Sequence, residues 1–237
     1  MSKLKFALPT ALILGLFAAF YFGVTQKQLD LTEVMKICVN KDRKSCQALW
    51  LTFAETPQGK EFLVKNSELC DQDKKKNCNV AGWVYAILNQ FDKAQKFMAK
   101  SCFLGDSQGC TALGQQYKRQ KNFYEAKFYF IKACDQYNIN GCQLAGEVLL
   151  IHEKKVADAE PFLTMACRGQ NQIGCYNLAC VHALLNKKNK ALHSLEEALK
   201  LGFKEWEHVL KDPDLKNIQK LKDFGNLIEK YKKLKIN

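Results

Sequence analysis

Residues Ala133–Gly146 read ACDQYNINGCQLAG, two cysteines with seven residues between them. The same C-x7-C spacing recurs at Cys38/Cys46, Cys70/Cys78, Cys102/Cys110, Cys134/Cys142 and Cys167/Cys175. The first members are evenly stepped, by thirty-two positions three times and by thirty-three at the last, and ten of the eleven cysteines fall on this grid. A fixed period of about 20 to 50 residues is the signature of a repeat architecture, in which each unit buries its apolar face only against its neighbours.

Other residues keep the same period. Four places after each second cysteine stand Trp50, Gly82, Gly114, Gly146 and Ala179, mostly small. Seven places after stand Phe53, Tyr85, Tyr117, Leu149 and His182, mostly large rings. Eight places before the next first cysteine come Phe62, Ala94, Ala126 and Ala159; four before it come Asn66, Met98, Phe130 and Leu163. Small residues at fixed places let two helices approach, and large ones fill the space between neighbouring pairs. Each unit therefore reads as two short helices. In the third these are about Gly109–Gln120 and Phe123–Gln136, with Lys121-Asn122 between. Thr56-Pro57 and Asp212-Pro213 are N-cap and first-turn pairs that open helices. The expected fold class is all-α, an α-solenoid of antiparallel helix pairs over residues 28–237. Its repeats fall at about 45–76, 77–108, 109–140, 141–173 and 174–202, with capping helices over 203–237.

The stretch CTALGQQY…NFYEAKFYFIKAC resembles the tetratricopeptide and Sel1-like repeat superfamily, through Leu113-Gly114, Tyr117, Ala126, Phe130 and Ala133. CYNLACVHALLNKKNKALHSLEEALKLGF looks like an ordinary tetratricopeptide unit, and the resemblance covers Asp30 to about Tyr231. Cysteines paired one loop apart resemble the cysteine-rich Sel1-like proteins first known from Helicobacter, although the period here is shorter than is typical of that branch. The resemblance implies that the first helix of each unit lines a concave groove. The residues after each second cysteine then point into it: Gln47, Asn79, Thr111, Gln143 and Tyr176. A second stripe four places on is Leu51, Trp83, Gln115, Glu147 and Cys180. Asn and Gln both donate and accept, which suits an extended peptide backbone, and Trp83 is a candidate aromatic anchor. The expected groove residues are Gln47, Asn79, Trp83, Thr111, Gln115, Gln143, Glu147 and Tyr176. Some cysteine-rich Sel1-like proteins are described as weak penicillin-binding or β-lactam-hydrolysing proteins. The S-x-x-K that such chemistry uses occurs here only as Ser2–Lys5, and K-T-G is absent. No G-x-S-x-G, H-E-x-x-H or P-loop occurs either. A non-catalytic scaffold without cofactor or resident metal is the primary expectation; a β-lactamase-like or cell-wall peptide hydrolase is the alternative.

In the two-helix reading, the first cysteine of each pair closes one unit's second helix and the second opens the next unit's first helix. A disulfide at each pair clamps that loop and joins consecutive units. Zinc is the rival, but it wants four converging ligands, and His152, His182, His193 and His208 do not repeat with the pairs. The C-x-x-C of thioredoxin-like redox chemistry is absent. In the final unit Leu199 takes the first cysteine's place, so the grid ends with the array. Cys180 lies off the grid; it reads as a small buried apolar residue or as a free thiol for an intermolecular bridge.

Cysteines at such density belong to an oxidising compartment, and the N-terminus supplies a route there. Lys3 and Lys5 precede an uncharged run, FALPTALILGLFAAFYFGV, over positions 6–24. About 20 apolar residues span a bilayer, and no A-x-A cleavage site follows. Residues 1–27 are expected to be an uncleaved inner-membrane anchor, with the remainder on the periplasmic side; a cleaved signal and a free periplasmic or secreted protein is the alternative. Formal net charge is +12. Outside the cytoplasm such a surface meets anionic lipid, cell-wall polymer or an acidic protein rather than nucleic acid. The expected partner is a protein or peptide of the envelope.

Overall fold

A computed structural model describes Val34 and residues 43–233. The proposed anchor over positions 6–24, Cys38 and the thiol of Cys46 lie outside the described residues. Among those residues no helix is long and apolar enough to cross a membrane. The chain divides into two compact units, the first running to Ser101 and the second starting at Cys102.

The first unit contains α1 (Arg43–Glu55), α2 (Pro57–Asp71), α3 (Lys75–Ile87) and most of α4 (Phe91–Phe103). Thr56 caps α2 by accepting the Gly59 N–H, and Pro57 takes the first helical position. The core of this unit gathers Val34, Leu49, Trp50, Phe53, Val84 and Ile87. The second unit continues with α5 (Ser107–Arg119), α6 (Phe123–Cys134) and α7 (Ile139–Glu147). A π-helical turn, Val148–His152, extends α7. Next come α8 (Val156–Arg168), α9 (Gln172–Leu184) and α10 (Lys188–Lys200). The chain then forms α11 (Trp206–Lys211), a 3-10 turn (Pro213–Leu215), α12 (Lys216–Gln219) and α13 (Lys222–Lys233). Each helix from α5 to α10 packs on the next, so the second unit is a run of antiparallel helix hairpins. Asp212 caps the 3-10 turn rather than a long helix, as its side chain accepts the Asp214 N–H. The terminal elements are consequently shorter than the sequence suggests.

The backbone is built on half the cysteine period. Left-handed residues stand at Asp73, Asn89, Gly105, Lys121, Tyr137, Lys154, Gln170, Asn186 and Gly202. Their spacing is uniform, at half the usual cysteine step, except for one additional residue between Tyr137 and Lys154. Most of them close a Schellman motif, in which the following N–H reaches five residues back to a carbonyl of the last helical turn. Thus Lys74 N–H donates to Leu69 O, Asn122 to Tyr117, Asn138 to Ala133 and Lys187 to His182, at 2.8–3.1 Å. The donor residue is also the N-cap of the next helix. The side chains of Asp106, Asn122, Asn138 and Asn171 accept from Gln108, Glu125, Gly141 and Gly174 N–H respectively. Connections inside a repeat and those between repeats therefore share one turn. The additional residue, which makes the last cysteine step one longer than the others, sits in the π-helical turn. There Glu153 N–H bonds five residues back to Val148 O, and Lys155 N–H six back to Leu149 O.

Among the described residues, seven of the nine left-handed positions carry a side chain. The left-handed region costs an L-residue roughly 1–2 kcal/mol, partly offset by the extra chain entropy that a glycine would lose. Tyr137 is 82% exposed, so little packing opposes its replacement. Tyr137→Gly is expected to stabilise the protein by about 0.5–1 kcal/mol, read as a higher urea midpoint at unchanged slope.

The small grid residues sit where helices touch. A Cβ on Gly114 would lie 2.6 Å from a Phe130 ring carbon, and one on Gly82 would lie 2.8 Å from Met98 Cγ. Among the described residues four cysteine pairs are joined: Cys70–Cys78, Cys102–Cys110, Cys134–Cys142 and Cys167–Cys175, with Cα separations of 4.4–4.5 Å. Cys180 is a free, buried thiol.

Candidate functional site

The first helices of the repeats carry the expected groove residues, and the two units treat them differently. In the first, Gln47 is exposed and Asn79 half-buried. Trp83 is 43% exposed and meets the buried Trp50 edge-on at 5.0 Å. In the second unit Gln115 on α5 is exposed, while Thr111 is turned inward, its hydroxyl donating to Ser107 O. Gln143 is buried and donates to Glu147 Oε2 at 2.8 Å. Glu147 in turn pairs with Lys118 of α5, one repeat away. Lys118, Glu147 and Gln143 thus form a polar ladder across α5 and α7, with the exposed Gln115 one turn before Lys118 on α5.

Tyr176 occupies the same register on α9 yet is 4% exposed, not open to a groove. The C-terminal segment lies over it. Its ring stacks on Phe203 at 4.4 Å, and its hydroxyl donates to the Asp212 carboxylate. Cys180 Sγ is 3.6 Å and His208 Nε2 3.5 Å from the same carboxylate oxygen. The other oxygen accepts the Asp214 N–H at 2.9 Å. Burial pushes the Tyr176 phenol and the Cys180 thiol up, and the Asp212 charge pushes both further. The Cys180, Asp212 and Asp214 donor atoms lie within 4.8 Å of one another, a possible three-ligand cation grouping. Both Asp212 oxygens, however, already accept hydrogen bonds from the protein.

Asp214 is held above the usual carboxylate range, first by burial and then by the Asp212 charge. A carboxyl whose folded pKa is raised binds its proton more tightly when folded, so its contribution is favourable in acid and is lost as pH rises through the folded pKa. Asp214→Asn is expected to stabilise the protein at neutral pH. The gain should shrink toward zero on acidification below the usual Asp range, as seen in urea titrations at several pH values.

A third polar arrangement was not legible as a site in the sequence. A cleft of about 780 Å³ is bounded by α8, α9 and α10. At its floor His182 Nδ1 lies 3.0 Å from Ser194 Oγ, and His182 Nε2 lies 3.3 Å from Glu160 Oε1. Lys187 Nζ also holds Glu160, at 2.7 Å and 3.0 Å. His182 and Ser194 are 7% and 4% exposed. The one available signal was His182 itself, an imidazole at a grid position otherwise held by Phe, Tyr or Leu.

Residues 174–201, covering most of α9 and all of α10, match the tetratricopeptide repeat family. The chain is 38% identical over 65 residues to a chloroplastic protein of Arabidopsis thaliana; that is 27% of this chain and 19% of the relative, so the chain spans about a fifth of the curated protein that it matches. Among solved structures it resembles YrrB, described as a TPR protein with an unusual peptide-binding site. The TM-score is 0.53 at 15% identity, over 73% of this chain and 93% of that one. This likeness is one of fold: an all-helical repeat array of the tetratricopeptide kind.

Proposed function

We propose that this chain is an exported, envelope-anchored repeat scaffold that binds an extended peptide segment of a protein partner along the first helices of its repeats. A polar face made of the exposed Gln115 and the Lys118–Glu147 pair, with the buried Gln143 holding Glu147, carries the reading. It sets donors and acceptors of both charge types across adjacent repeats, at the register where tetratricopeptide-like folds meet peptides. The peptide-binding site named for YrrB supports it by analogy of fold. Selecting displayed peptides against the full chain in detergent tests it. Selected binders should weaken at least tenfold against a Gln115→Arg/Glu147→Lys double variant. Failure to enrich any sequence, or binding indifferent to the double variant, would refute the proposal.

The disulfides support an oxidising location, and the uncharged run over positions 6–24 supports tethering at the inner membrane. Leaving out Lys3 and Lys5 gives 34 basic against 24 acidic residues on the exported part, or +10. That surface suits secondary contact with anionic lipid or cell-wall polymer. Such contact weakens with salt, so cosedimentation with purified wall or anionic vesicles should fall between low and high ionic strength. The Sel1-like branch, as opposed to tetratricopeptide repeats at large, is part of this proposal and rests on the cysteine spacing.

A further inference from the structure

We infer that the cleft between α8, α9 and α10 is a second, chemically active site, in which Ser194 is a nucleophile toward small carboxylic esters, His182 its general base and Glu160 the residue that positions the imidazole. The site is independent of the peptide face. On α9, Leu178 and His182 fall on the side of the helix opposite Tyr176 and Cys180, given about 100° per residue.

Protonation states fix the direction of the hydrogen bonds. The Lys187 hydrogen bond holds the Glu160 carboxyl below its usual range, so Glu160 is an acceptor. Burial holds His182 below its ordinary value, so the ring is neutral near pH 7. A neutral ring facing a carboxylate through Nε2 carries its proton there. In this assignment Nδ1 is then the acceptor of the Ser194 O–H, and the main chain of Lys190, which also hydrogen-bonds the ring, competes for that face. This is the arrangement of an activated serine: a base within hydrogen-bond reach of the hydroxyl, and an anion oriented behind the base. The two ring nitrogens exchange their more common parts, which leaves the proton arithmetic unchanged. Main-chain N–H groups around Ser194 are engaged within α10, so they supply no oxyanion hole. Lys190 stands one turn before Ser194 and lines the same cleft, and in this assignment its ammonium serves the developing tetrahedral oxyanion.

The reaction balances as an ester hydrolysis. Ser194 Oγ bonds to the acyl carbon while its proton passes to His182 Nδ1. The carbon–oxygen bond to the alcohol breaks, and the alcohol leaves with that proton. Water then attacks the acyl carbon and gives a proton to Nδ1. The acyl–Oγ bond breaks, Oγ recovers the proton, and the acid departs. The volume of about 780 Å³ suits a small molecule.

The test uses the full oxidised chain in detergent, a fluorophosphonate probe and 4-nitrophenyl acetate. One probe adduct per chain is expected, mapped to Ser194 by peptide mass and absent from Ser194→Ala. His182→Gln should slow labelling by roughly 100-fold or more, the usual worth of a general base. Glu160→Gln should slow it by at least about tenfold. Labelling should rise with pH and level off below the ordinary imidazole pKa. The charged groups facing His182 are Glu160 and Arg168 from α8, Lys187 from the α9–α10 turn, and Lys190, His193 and Glu197 from α10. Lys187→Met removes a cation near the ring and frees Glu160, so the midpoint of the profile should move to higher pH. A folded wild-type chain that forms no Ser194 adduct between pH 5 and 9 (about one unit or more either side of the imidazole range) overturns the assignment. So does labelling indifferent to His182→Gln, since a purely structural network would give that result. Neither outcome bears on peptide binding, which is read separately.

Discussion

Reducing the four described disulfides is expected to lower stability by up to about 10 kcal/mol. Each bridge joins cysteines with a sequence separation of 8, and the chain-entropy formula assigns so short a loop roughly 2.5 kcal/mol. That total is comparable with the whole net stability of a typical domain, about 5–15 kcal/mol. A repeat array contacts only its neighbours, so no distant packing replaces a lost local clamp. Urea titrations with and without dithiothreitol should show the midpoint collapse in reductant, and a Cys102→Ser/Cys110→Ser double variant should lose about a quarter of the effect. The unbridged turns at Asn89, Lys121 and Asn186 have the same left-handed closure as the bridged ones. The sulfurs therefore hold a turn that the backbone already prefers. They are not needed to shape it, and an unchanged midpoint in reductant would mean that the turns suffice alone.

Asp212→Ala is expected to destabilise the protein by about 3 kcal/mol. The carboxylate accepts from the Tyr176 hydroxyl and from the Asp214 N–H, and it is buried. Its removal strands a buried phenol, at about 1–3 kcal/mol, and deletes a helix-type cap, at about 1 kcal/mol. Relief of the repulsion with Asp214 returns part of this. Asp212→Asn keeps an acceptor for the phenol and should cost less than half as much. A second readout is the rate at which Cys180 reacts with a soluble disulfide reagent. It should rise sharply in Asp212→Ala, because the segment covering the thiol detaches. A loss within the ordinary surface-substitution range of about 0.5 kcal/mol, with Cys180 still shielded, would show that the C-terminal segment is held by its apolar contacts alone.

Periodic residues made the helical hairpins readable from sequence. Gly82, Gly114 and Gly146 marked close approaches, and Phe130 and Leu163 marked the side chains that fill them. The extra residue of the last, longer step could be bracketed between Leu149 and Ala159 by the same alignment. Its placement in a π-helical turn could not, because a longer loop satisfies the same spacing. The groove stripe was readable as residue types but not as surface. Whether Tyr176 faces solvent depends on where residues 203–215 fold, and that is a tertiary contact with no local signal. The Glu160–His182–Ser194 grouping depends on three helices coming together, and each member stands on a different one, with a turn between it and the next. His182 alone hinted at it, as a polar ring in an apolar column.

The doubling of duties at each turn, where one residue both ends a helix and starts the next, leaves the chain almost no slack. A digestive enzyme takes its substrate drawn out straight, and exposed loop tips are where nicking usually begins. Between positions 75 and 200 the connections are too brief to be pulled into such a cleft unless a helix unravels first. Longevity among hostile hydrolases then follows from the economy of the joints, before any sulfur is counted.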